Sequence, residues 1–137
     1  MKKTIKFTIK GNPEDIEGNP VPYVRVVGRA LWLPNAKKYH AWKEYVRSIF
    51  YRNYPEFASN NDEGPQPLTT KISARARMAI TIFWVNGVHA DPDNIFKGLA
   101  DALFRQDKFL DGAFESHYAS DGKGRVEVEI VLNSNEQ

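Results

Sequence analysis

The chain contains no cysteine. Disulfide frameworks and thiolate metal centres are therefore excluded, and the composition suits a reducing cytoplasm, the compartment expected here. Nor is there an apolar run long enough to span a bilayer, or a signal-peptide core behind the two amino-terminal lysines. No membrane association is expected. Internal repeats are absent. Net charge is also small, +2 at pH 7, so the overall balance says little about nucleic acid. What is left, 137 residues with 42% hydrophobic and 26% charged content, is ordinary for one globular domain over residues 1–137.

The charge that is present is unevenly distributed. Between Val21 and Tyr54 stand Arg25, Arg29, Lys37, Lys38, Lys43, Arg47 and Arg52 against the single acid Glu44, while acids outnumber bases from Gly87 onward. A basic amino-terminal half can hold a phosphate backbone, and an acidic carboxy-terminal half can hold metal. An ordinary solvated surface with cancelling charges is the plainer alternative.

Thr4–Lys10 alternates Ile5, Phe7 and Ile9 with Lys6 and Thr8, the period-two signature of a half-buried strand. Residues 11–22 hold three prolines and two glycines and read as a loop. Tyr23–Leu33 reads as a β-hairpin turning near Gly28, with Arg25 and Arg29 on its arms. A helix is predicted from Asn35, because Tyr39, Trp42, Val46, Ile49 and Phe50 recur at spacings of three and four. Residues 53–71 form a long polar loop. Ile72–Val85 is the longest strand: its even positions share one face, Arg75 and Arg77 point to the other, and both faces turn apolar after Met78, which predicts burial on both sides. Ala113–Ser120 and Gly124–Leu132 are predicted to pair as an antiparallel hairpin around Asp121-Gly122, with residues 133–137 as a frayed tail. Together these elements predict an α+β fold in two layers, one mixed β-sheet with two main helices packed on it.

One stretch carries chemistry. In His89–Leu103, HADPDNIFKGLADAL, Asp91 sits where an N-cap belongs, Pro92 takes the first helical position, and Asp93 falls in the first turn. Asp93, Lys97 and Asp101 follow at intervals of four, along one stripe of the helix, with Ile95, Leu99, Ala102 and Leu103 on the core side. Two carboxylates at a strand-to-helix junction, a lysine one turn on, suit a divalent cation and a phosphodiester. The same residues also make a good helix start with no function, because acids are favoured by the helix dipole there. Asp101, two turns along, is expected to orient Lys97. His89 is a candidate for binding metal or substrate, although a loop histidine is more often incidental.

Asp91, Asp93, Asn94, Lys97, Asp101, Ala102 and Leu103 together match a D-x-D-N-x-x-K-x-x-x-D-A-L pattern, which resembles the RusA family of Holliday-junction resolvases. The resemblance extends more loosely to IKFTIKGNP at the amino terminus and to the aromatic, basic helix. It implies a RusA-like fold and a metal-dependent, homodimeric endonuclease that hydrolyses phosphodiesters in four-way DNA junctions during recombination and repair. It further implies Mg²⁺, with Mn²⁺ possible, held by Asp91, Asp93 and a third acid, and catalysis by these acids with Lys97. Arg25, Arg29, Lys37, Lys38, Arg75 and Arg77 become candidates for DNA contact. The chain departs from the family after the helix, where two acids usually stand and the second is catalytic. Here Asp111 is followed by Gly112, and an ungapped match puts Gly112 at the catalytic place. Either Asp111 supplies the third ligand, or the site is impaired and the chain binds junctions without cutting them well.

Overall fold

A computed structural model describes residues 2–25, 33–55, 74–104 and 110–134. Six elements follow in order: β1 (Lys2–Lys10), α1 (Pro34–Asn53), β2 (Ala74–Trp84), α2 (Pro92–Leu103), β3 (Leu110–Tyr118) and β4 (Arg125–Ser134). The expected hairpin at Tyr23–Leu33 falls mostly outside the described residues, and its first residues, Tyr23 to Arg25, are not strand. Most of the 53–71 loop also lies outside them. The expected tail is shorter, since Asn133 still pairs with Lys2.

The sheet is mixed, in the order β1-β4-β2-β3. β4 runs antiparallel to both β1 and β2, whereas β2 and β3 are parallel and joined by α2. The architecture is therefore α+β, as the sequence predicts. The predicted hairpin of the last two strands does not form: β2 lies between β3 and β4. Composition explains the exchange. β3, LDGAFESHY, has no apolar alternation and is exposed on nearly every residue, as an edge strand can be. β4 alternates Val126, Val128 and Ile130, all buried, with Glu127 and Glu129, and so takes an interior place beside β2.

The core lies between the sheet and the helices. Ile5, Phe7, Ile9, Met78, Ile80, Ile82 and Trp84 face it from β1 and β2. Tyr39, Trp42, Val46 and Phe50 of α1 meet them with Ile95, Leu99, Ala102 and Leu103 of α2. These are the apolar stripes read from the sequence, and hydrophobic burial on this scale is the main stabilising contribution. The other sheet face stays open. Ala79, Thr81 and Phe83 of β2 are only half-buried, so β2 is not covered on both sides as its composition predicts. Phe83 is instead flanked by side chains of the same face: the Arg125 guanidinium lies 4.1 Å over its ring and His117 stacks beside it.

Candidate active site at the start of α2

β2 delivers the chain to α2 through Val85–Ala90, and that connection is fixed by residues distant in sequence. Asn19 accepts a hydrogen bond from the Val85 amide (2.7 Å) and donates from its side-chain amide to the Val88 carbonyl (3.2 Å). Asn86 turns the loop by accepting from the Val88 amide. The His89 ring stacks on Trp84 with centroids 4.0 Å apart and planes 8° from parallel. Sequence reasoning missed Asn19, whose only signal is an Asn-Pro pair in a loop. It also weighed His89 only as a ligand or an incidental loop residue, whereas the ring anchors the segment just before the motif.

Asp91 occupies the N-cap position of α2 with extended backbone, and Pro92 is the first helical residue. The Asp91 carboxylate makes no capping hydrogen bond; the turn closes instead through the Asn94 amide and the Asp91 carbonyl at 3.0 Å. Asp91, Asp93 and Lys97 are exposed, and among the described residues none of their side chains has a hydrogen-bond or ion-pair partner. The capping account of Asp91 thus loses its characteristic bond. Asp93 retains the helix dipole as a reason to stand in the first turn.

Asp101 belongs to a different system. Tyr39 donates to its carboxylate at 2.6 Å and the Lys43 ammonium lies 3.2 Å away, so it ties α2 to α1 rather than orienting Lys97 as expected. Partial burial opposes its ionisation, but the hydrogen bonds from Tyr39 and Lys43 and the nearby charges of Lys43 and Arg47 outweigh this and hold its carboxyl below the ordinary range. Burial, reinforced by Asp101, pushes the Tyr39 phenol well above its usual value. Arg47 donates to the Ala102 carbonyl (2.7 Å) near the end of α2. Two of the bases in the amino-terminal half are thereby engaged within the fold.

Asp111 stands near the start of β3. Its side chain pairs with Arg77 at 3.0 Å on the open sheet face. Its neighbour Gly112 faces α2: a Cβ there would lie 2.3 Å from the Phe96 ring and 2.4 Å from the Met78 carbonyl oxygen. Neighbouring strand residues point to opposite faces, so Asp111 is turned away from Asp91 and Asp93, contrary to its expected place as third ligand. The position that the family motif gives to an acid is closed by Phe96. Among the described residues no three His, Cys, Asp or Glu side chains gather to hold a metal.

The candidate DNA contacts divide similarly. Arg25, Lys37 and Lys38 are exposed, and Lys38 shares a cleft of about 430 Å³ with Asn35, Asn86 and Val88, beside the motif loop. Arg77 is on the open face with Asp111. Arg29 and the side chain of Arg75 lie outside the described residues. Among the described residues no helix is long and apolar enough to cross a membrane. Neither the protein-family models nor the curated proteins compared with this chain match it.

Proposed function

We propose that the chain is a divalent-metal-dependent endonuclease of the RusA kind, hydrolysing phosphodiester bonds in four-way DNA junctions as a cytoplasmic homodimer. The observation that carries this reading is the exposed Asp91–Asp93 pair with Lys97, their side chains partnerless among the described residues, at the start of α2, which the pinned connection 85–90 joins to the interior strand β2. Side chains that stabilise nothing within the fold are available for a ligand, and a rigid support suits catalysis.

The donor set fits Mg²⁺, or Mn²⁺, without a third acid. Mg²⁺ keeps several waters and is commonly held by one or two carboxylates together with substrate phosphates. A bound cation would lower the pKa of a water and offset charge on the phosphate oxygens. Asp91 and Asp93 would hold it, and Lys97, one turn on, would place an ammonium against a phosphate oxygen. Lys38, Lys37 and Arg25 bind the flanking backbone as point charges. Symmetric cutting of two junction strands calls for two equivalent sites, which a twofold dimer supplies.

The placement of Asp111 and the closed position at Gly112 favour a second reading, a junction-binding protein with impaired cleavage. One experiment separates the two: incubation of a four-way junction and a linear duplex of the same sequence with Mg²⁺, Mn²⁺ or EDTA. Metal-dependent cutting of the junction alone supports the nuclease. Tight junction binding with no cutting in either metal supports the second reading, and equal affinity for both DNAs contradicts both.

A further inference from the structure

β3 closes the sheet on one side, and its outer edge is unpaired among the described residues. The direction of its backbone groups follows from the neighbouring hydrogen bond: the Ala119 amide donates to the Trp84 carbonyl of β2. By alternation, odd-numbered residues of β3 turn their amides and carbonyls towards β2. Even-numbered residues, Leu110, Gly112, Phe114, Ser116 and Tyr118, turn theirs outward. The strand pairs with β2 from Leu110 to Tyr118 without a bulge and holds neither proline nor lysine, two of the devices that block further pairing; of its outward amides, that of Gly112 donates to the Asp111 carboxylate at 2.9 Å, a bond that a new strand would replace. It also exposes large apolar side chains, Phe114 at 46% and Tyr118 at 63%.

We propose that β3 pairs antiparallel with β3 of a second copy about a twofold axis at Phe114, making one continuous sheet of the two. Phe114 is the midpoint of the strand, so this register pairs every residue from Leu110 to Tyr118. The sequence is complementary to itself in that arrangement. Phe114 meets its own copy, Leu110 meets Tyr118, Gly112 meets Ser116, Asp111 meets His117, and Ala113 meets Glu115. The outward-facing even residues form the hydrogen-bonded pairs, and the odd residues form the closer, non-hydrogen-bonded pairs.

Other registers fit less well. An axis at Ala113 sets Asp111 against Glu115, and one at Glu115 sets that residue against itself, both like-charge contacts that destabilise a sheet. An axis at Ser116 leaves Leu110 to Ala113 unpaired within the strand. On the helix side, Phe114 already lies 6.3 Å from Phe96, so the central aromatic pair would extend the packing of α2. The inference gives an interface to the dimer proposed above and rests on that reading only for its dimeric state.

The test combines two single variants with the wild-type chain. The chain has no cysteine, so Phe114→Cys introduces the only thiol. Hydrogen-bonded antiparallel pairs have Cα atoms about 5.5 Å apart, within disulfide reach, and mild oxidation should link the variant to itself. A control, Asp121→Cys, in the turn before β4, should not cross-link. Ser116→Pro removes an outward amide while leaving the bonds to β2, a substitution that edge strands accept. It should raise the dimer dissociation constant about tenfold or more, read by sedimentation, with urea unfolding of the monomer unchanged. If Ser116→Pro fails to fold, the Phe114→Cys cross-link decides. A monomeric wild type overturns the edge pairing and the dimer together. A stable dimer that neither cross-links through Phe114→Cys nor responds to Ser116→Pro overturns the edge pairing alone.

Discussion

The two ends of α2 carry carboxylates that differ only in their company. At the amino-terminal end, Asp91 and Asp93 are exposed and partnerless among the described residues, although the cap position invites a hydrogen bond. Two turns later, Asp101 is held by Tyr39 and Lys43 of the other helix. The first end adds little to stability that a neutral side chain would not keep. The second end is a clasp between helices. Spacing alone put Asp93, Lys97 and Asp101 on one stripe, and only tertiary contacts separate the available Asp93 and Lys97 from the engaged Asp101.

The sharpest way to break this comparison is to neutralise one acid at each end. Asp93→Asn should lower junction cleavage about a thousandfold, since metal-centred charge stabilisation contributes several kcal/mol and each 1.4 kcal/mol is tenfold in rate. Its urea midpoint should stay close to wild type, because an exposed residue without a partner is being changed. Cleavage at the wild-type rate would reduce Asp93 to a helix-start residue.

Next in size is the surface beside the free end. Arg25→Ala with Lys38→Ala should weaken junction binding and flatten its dependence on salt by roughly one log–log unit per lost phosphate contact. An unchanged slope would place the DNA elsewhere. At the engaged end, Asp101→Asn should cost about 1–2 kcal/mol in urea unfolding, the value of charge-assisted hydrogen bonds discounted for partial exposure. Cleavage by the folded protein should stay within a few-fold of wild type. The smallest effect is on pH. The Asp101 carboxyl is depressed in the fold, so its contribution is present above the ordinary carboxylate range and lost as pH falls through its lowered value. Tyr39 is raised, so its contribution is present below about 10 and lost as pH climbs above it. The stability gap between wild type and Asp101→Asn should therefore narrow at both extremes of a pH series.

Much of the fold was legible because it is written locally. The stripe from Tyr39 to Phe50 and the alternation of β1 and β4 each state which face is buried. The start of α2 was legible for the same reason, since Asp91-Pro92 specifies a helix entry within a few residues. The placement of β3 was not. Adjacent strands joined by a turn normally pair, and only the sheet as a whole shows that β2 has taken the place beside β4. That exchange also fixed the side chain of Asp111, because pairing with β2 set which of Asp111 and Gly112 faces α2. The role of Asp101 was hidden for a related reason: its partners lie on another helix, about sixty residues earlier in the chain.

The most direct test of the account is a Mn²⁺ titration followed by amide resonances of the isotopically labelled protein. Paramagnetic broadening should begin around Asp91, Asp93 and Asn94, spare Asp101 and the open sheet face, and fade in Asp93→Asn. Broadening centred instead on Asp101, or on Glu127 and Glu129, with the start of α2 untouched, would contradict the claim that the free carboxylates of α2 are the cation site.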